Sequence, residues 1–180
     1  VVGSSGVATY DAVELDAFLA DKDVGLEFGI DAFTEGMLGS AATSDLEVLF
    51  HLIHLYMTQP RVDPVALDQY LDDEFAYASD PSIEPGYAEY KTLLDARYDD
   101  PAFLLPTVES LNSVTADDVE RVFRDRFGDA SDFSFAFSGD FDSDEAVDLA
   151  RRYLGTLPAT GRAESVDYVE PPPPSGVVAE

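Results

Sequence analysis

Cysteine is absent from this 180-residue chain, which excludes disulfides and thiolate metal sites and says nothing about compartment. Positive charge is scarce. Ten Lys and Arg stand against 37 Asp and Glu, a formal net charge of −27. Nucleic acid and anionic membrane surfaces are therefore not expected as partners, because both need a cationic face. No apolar run is long enough to cross a bilayer, so membrane insertion is not expected. Histidine is limited to His51 and His54, so any metal or acid–base site that uses imidazole must begin there. The chain opens at Val1 with neither a methionine nor a charged leader, and the reading is of a fragment cut from a longer protein.

What is present is enough for a core. Hydrophobic residues make up 46% and aromatics 12%, so the acidity does not mark a disordered chain. The acids are spread along the sequence rather than gathered in one run. That favours a solvated acidic coat, as in a high-salt cell, over an acidic surface built for cations or basic peptides.

The most hydrophobic stretch runs from Thr43 to Met57. Ser44 with Glu47 three residues on reads as a capping box, and apolar residues from Leu46 to Met57 fall on nearly all sides of a helix. The other elements are expected to pack on it. Residues 1–7 read as a small, Gly- and Ser-rich lead-in, and 10–20 as a helix capped by Thr9 or Asp11. Val24, Leu26, Phe28, Ile30 and Ala32 alternate with polar residues or glycine and predict a strand; Thr34–Gly36 marks a turn and 37–42 a second strand, together an antiparallel hairpin.

Asp63–Pro64 predicts the start of a third helix, with Val65, Leu67, Tyr70, Leu71, Phe75 and Tyr77 on its apolar side. A fourth is expected over 87–98 after the breakers Pro81 and Pro85–Gly86, and residues 99–106 read as a loop. Thr115 opens a helix to Phe127, with Val119, Val122, Phe123 and Phe127 inward and Gly128 at its end. Phe133, Phe135 and Phe137 predict a strand over 132–141. Asp142 caps the last helix, which Gly155 ends. The order α-β-β-α-α-α-α-β-α, without internal repeats, predicts an α+β fold: a small, mostly antiparallel sheet packed in two layers against helices. The expected organisation is one domain over residues 1–160 and a Pro-rich linker over 161–180, where four consecutive prolines begin at Pro171.

No catalytic constellation can be assembled from these residues. Glu47, His51 and His54 share one helical stripe and are the metal candidates. A zinc helix needs its two histidines at i and i+4; here they are three apart, and the capping box already occupies Glu47. Histidines packed in or at the edge of a buried helix are the better reading. Asp140, Asp142 and Asp144 imitate the first half of a calcium loop, but Glu145 stands where the loop needs glycine and Arg151 where it needs glutamate. Helix capping explains these acids. Gly25, Gly29 and Gly36-Met-Leu-Gly39 fit no nucleotide loop and suit strand packing. Asp72-Asp73-Glu74 and Asp99–Asp100 read as solvated faces, and no G-x-S-x-G is present.

Three motifs nevertheless occur in a familiar order. They are Asp45-Leu-Glu-Val-Leu-Phe-His-Leu-Ile-His-Leu-Tyr-Met-Thr-Gln-Pro-Arg61, Arg126-Phe-Gly-Asp-Ala-Ser-Asp-Phe-Ser-Phe-Ala-Phe-Ser-Gly-Asp-Phe-Asp142 and Tyr153-Leu-Gly-Thr-Leu-Pro158. With the tail from Arg162 to Val178, they resemble a non-catalytic repeat of the bacterial zinc proteases of the pitrilysin/insulinase family. The resemblance covers nearly the whole chain. It implies a processing-peptidase-like fold in truncated form, corresponding to the third of four related domains, at the start of the C-terminal half. It implies zinc in the catalytic domain of the parent and no cofactor here, because H-x-x-E-H is absent. The implied partners are the remaining domains of the same protease and a peptide substrate enclosed between the two halves. No catalytic or substrate-binding residue transfers to this chain. A periplasmic or extracytoplasmic parent is favoured. Two other readings stand beside this one: a catalytically dead structural or binding subunit of the same fold, and an acidic cation-binding domain.

Overall fold

The computed structural model describes residues 1–31, 34–98 and 103–162. Most of the expected linker and the Asp99–Asp100 pair lie outside the described residues. The architecture is α+β. Helix α1 (Ala12–Leu19) leads into strands β1 (Val24–Ile30) and β2 (Glu35–Ala41), then α2 (Leu46–Thr58), α3 (Pro64–Ser79), α4 (Pro85–Arg97), a single turn α5 (Val108–Leu111), α6 (Ala116–Phe127) and α7 (Ser143–Leu149). One π turn, Ala150–Leu154, extends α7.

Local signals place most of these starts. Asp11 and Glu14 form the capping box of α1. Asp63 accepts the Val65 N–H ahead of Pro64, Thr115 accepts the Asp118 N–H, and Asp142 accepts the N–H groups of both Asp144 and Glu145. At the end of α6 a Cβ on Gly128 would lie 2.3 Å from the Arg124 carbonyl oxygen, so that residue must be glycine.

β1 and β2 pair antiparallel from Val24–Ala41 to Ile30–Glu35. The turn falls earlier than the sequence predicts: the Asp31 carboxylate receives both the N–H and the hydroxyl of Thr34, which leaves Glu35 and Gly36 free to join the strand. Val24, Leu26 and Phe28 turn toward the helices, as their alternation requires.

α2 is the spine. Its side chains enter each of three apolar clusters: Leu52 and Tyr56 with Phe123 and Phe127; Leu49, Ile53 and Met57 with Leu157; Leu46 and Phe50 with Leu149. In the first cluster Phe28 meets Phe123 and Phe127 edge-on, at 5.2 and 5.7 Å between ring centroids.

Five expectations need correction. Residues 1–7 are no loose lead-in, because Val2, Ser5 and Val7 are buried, with Gly6 in the left-handed conformation (φ +82°) where the chain doubles back on Tyr10. The capping box of α2 does not form: a 3-10 turn, Thr43–Asp45, precedes the helix, Asp45 is the N-cap with no side-chain cap bond, and Glu47 points elsewhere. On α3 only Leu67 of the expected apolar side is buried, while Val65 and Tyr70 are exposed. Val122 on α6 is also largely exposed. Residues 132–141 form no strand among the described residues: Asp132 closes a 3-10 turn, Ala130–Asp132, residues 139–141 bend, and a cleft separates the stretch from β2.

Candidate functional site

The stripe of α2 that is not buried carries Glu47, His51 and His54, so the helix is enclosed on all sides but this one. Residues far along the chain cover that stripe. The π turn brings Arg152 and Tyr153 across it, and wide single π turns of this kind often re-aim side chains. Arg152 Nη1 donates to Glu47 Oε1 at 2.5 Å, and the Tyr153 hydroxyl donates to the same oxygen at 3.0 Å. His54 Nδ1 lies 2.8 Å from the Tyr153 carbonyl oxygen. A carbonyl only accepts, so Nδ1 carries the proton. The His51 ring lies against the Tyr153 ring, 5.3 Å between centroids.

The electrostatics follow from these contacts. Burial, then the bond to Glu47, pushes the Tyr153 hydroxyl above its ordinary pKa. The contacts with Tyr153 and Glu47 raise that of Arg152. Both remain in their ordinary charge states at neutral pH, so the cluster is one phenol, one ion pair and two imidazoles whose contacts fall on a single turn of backbone.

These residues do not fit zinc. Glu47 is bound to a guanidinium, one nitrogen of His54 is taken by a carbonyl, and the two imidazoles face one tyrosine rather than a common point. Among the described residues no group of three His, Asp or Glu stands close enough to hold a metal ion. The Asp142 carboxylate is held by the N-terminus of α7 through two N–H bonds of 2.9 Å. Sequence reasoning placed the histidines and Glu47 on one stripe but missed Arg152 and Tyr153, which lie about a hundred positions away and carry no local signal.

A second place of note is a cleft of about 480 Å3 between β2 and residues 132–141. Leu26, Leu46, Leu49 and Ile53 form its floor, and Phe133, Phe135 and Phe137 form its far wall.

Residues 113–179 match the family described as the peptidase M16 inactive domain. No curated protein matches significantly. Among solved structures, the periplasmic protease PqqL from Escherichia coli superposes with a TM-score of 0.76 at 21% identity, over 98% of this chain and 19% of PqqL. A variant of the ferredoxin protease FusC, solved in complex with Arabidopsis ferredoxin, gives 0.70 at 20% identity, over 92% of this chain and 18% of FusC. The peptidase M16 inactive domain from Pseudomonas fluorescens gives 0.65 at 18% identity, over 91% of this chain and 41% of that one. The chain thus spans about a fifth of the length of the two proteases.

Proposed function

We propose that this chain, whose residues 113–179 match the peptidase M16 inactive domain and whose fold superposes on PqqL, is a non-catalytic domain that forms one wall of the peptide-enclosing chamber of a zinc metalloendopeptidase. The catalytic zinc then belongs to another domain of the same protein. The remaining domains of the protease are its standing partners, and a peptide substrate is its transient one. One observation carries this reading: the whole described fold superposes on a fifth of a protease, while H-x-x-E-H occurs nowhere in the 180 residues. The engagement of Glu47 and His54 by the π turn supports it, because the one imidazole-bearing stripe is spent on packing. The periplasmic location of PqqL supports an extracytoplasmic parent, and no helix among the described residues is long and apolar enough to cross a membrane.

The test is to assay the 180-residue chain for peptide hydrolysis and for bound zinc. The expected result is neither. One equivalent of zinc, lost when His51 and His54 are both replaced by alanine, overturns the reading. In the parent protein, hydrolysis should depend on an H-x-x-E-H motif in another domain. A degenerate motif there would leave a structural subunit instead of a chamber wall.

A further inference from the structure

α4 stands apart from the other helices among the described residues in two ways. It is the one with no buried residue. It also carries no net charge: Glu89 and Asp95 balance Lys91 and Arg97, whereas α3 has four acids and no base. In a chain of net charge −27, a neutral helix surface is where another acidic protein can approach without strong repulsion.

The residues of α4 sort by face. Tyr87 is half-buried and stacks on Tyr77 of α3, 5.1 Å between ring centroids. Lys91 pairs with Asp95 along the helix. Gly86, Glu89, Tyr90, Leu93 and Arg97 are exposed, and their i, i+3, i+4, i+7, i+11 spacing places them on one stripe. That spacing ordinarily marks the face a helix buries. Here its two large apolar members are open to solvent, Tyr90 at 53% and Leu93 at 60%.

The charges on this stripe are self-complementary. Glu89 lies four residues before Leu93 and Arg97 four residues after it, each about 6 Å away along the axis at helical rise. When a second α4 lies antiparallel on the first, with the two-fold axis at Leu93, Leu93 meets the partner's Leu93. Glu89 then comes level with the partner's Arg97, and the same pair recurs at the other end of the contact. A parallel arrangement would set Glu89 level with the partner's Glu89 and Arg97 level with the partner's Arg97, so charge selects the antiparallel one. A guanidinium has five N–H donors, enough for Arg97 to take a carboxylate in addition to the Tyr98 hydroxyl that its Nε holds.

We propose that the exposed stripe of α4 is a self-association surface, on which a second copy of this chain docks antiparallel across a two-fold axis at Leu93. An apolar centre flanked by two equivalent ion pairs is the pattern of an isologous contact. α4 has 13 residues, about 18 Å of helix, so the contact is small and the dimer is weak and reversible rather than obligate. This inference stands independently of the chamber reading.

Sedimentation equilibrium of the 180-residue chain tests it, at concentrations up to about 0.5 mM, where a weak contact is populated. Salt of about 0.3 M suits the measurement, since the Debye length there is about 5–6 Å, short enough to screen the net charge but not a pair in contact. A monomer–dimer equilibrium is expected. Leu93→Asp should weaken it about ten-fold or more, because both copies carry the change at the axis. Val65→Asp adds the same charge at an exposed position of α3 and should leave the equilibrium unchanged. Glu89→Arg and Arg97→Glu should each weaken the dimer by setting like charges level. The variant with both exchanges reverses each pair and should restore it. An equimolar mixture of the two single variants should associate more tightly than either alone, because each supplies the charge the other lacks.

A chain that stays monomeric at every concentration overturns the proposal and leaves the stripe to a different polypeptide. A dimer that Leu93→Asp does not weaken lies on another face and overturns it as well. A dimer weakened by Leu93→Asp that the double exchange fails to restore overturns the antiparallel arrangement.

Discussion

Phe50 is the residue through which α2 holds the far wall of the cleft, and its substitution has a calculable cost. Its side chain is fully buried, and its ring stacks on that of Phe137 with centroids 4.5 Å apart and planes 14° from parallel. Among the described residues no backbone hydrogen bond holds residues 134–139, and side-chain contacts such as this one secure them. Phe50→Leu removes about three carbons from a site with no solvent, and should cost about 2 kcal/mol from lost transfer and the residual cavity. Phe137→Leu, at a half-buried site, should cost about 1 kcal/mol. The stack is lost with either change and cannot be lost twice. The double variant should therefore fall short of the sum by about 0.5–1.5 kcal/mol, the range for an aromatic pair. Urea unfolding in molar salt, followed by circular dichroism, measures all four states of the cycle. A domain of this size has about 5–15 kcal/mol of stability, so all four should fold. Costs that add to within about 0.3 kcal/mol would refute the claim that Phe50 seats this segment.

Glu47→Gln should cost under about 1 kcal/mol, because the Glu47–Arg152 pair is solvent-exposed, and the cost should shrink as salt rises. Asp129 gives a pH signature. Its carboxylate accepts from the N–H and hydroxyl of Ser131 and from the N–H and hydroxyl of Thr160, which hold its pKa well below the ordinary value of 3.8. A folded-state pKa below the unfolded one stabilises the fold above the unfolded value and is lost as pH falls toward the folded one. Asp129→Asn should therefore lower the melting temperature at neutral pH and flatten its fall below pH 4 (roughly the unfolded carboxylate value); equal slopes in that window would contradict the assignment. With a net charge of −27, the melting temperature of the unmodified chain should rise from low to molar salt, and a flat response would remove self-repulsion as a factor.

Local physics made much of this protein legible from residues alone. Asp11, Asp63, Thr115 and Asp142 announce helix starts because a cap needs only a side-chain oxygen and an N–H two or three residues away. The period-two run from Val24 to Ile30 and the apolar density of 46–57 identified the hairpin and the spine. What failed were features whose partner lies far off in sequence. Ser44 and Glu47 have the spacing of a capping box, but the 3-10 turn Thr43–Asp45 moves the N-cap to Asp45, and Glu47 goes to an arginine and a tyrosine more than a hundred residues away. The alternation of Phe133, Phe135 and Phe137 does decide which side chains turn inward. It does not decide whether 132–141 is a strand, because a ladder needs a second edge within hydrogen-bond reach. Sequence periodicity fixes the face of an element; only the tertiary structure decides what lies against that face, because the contacts that settle it are made between residues that no local pattern links.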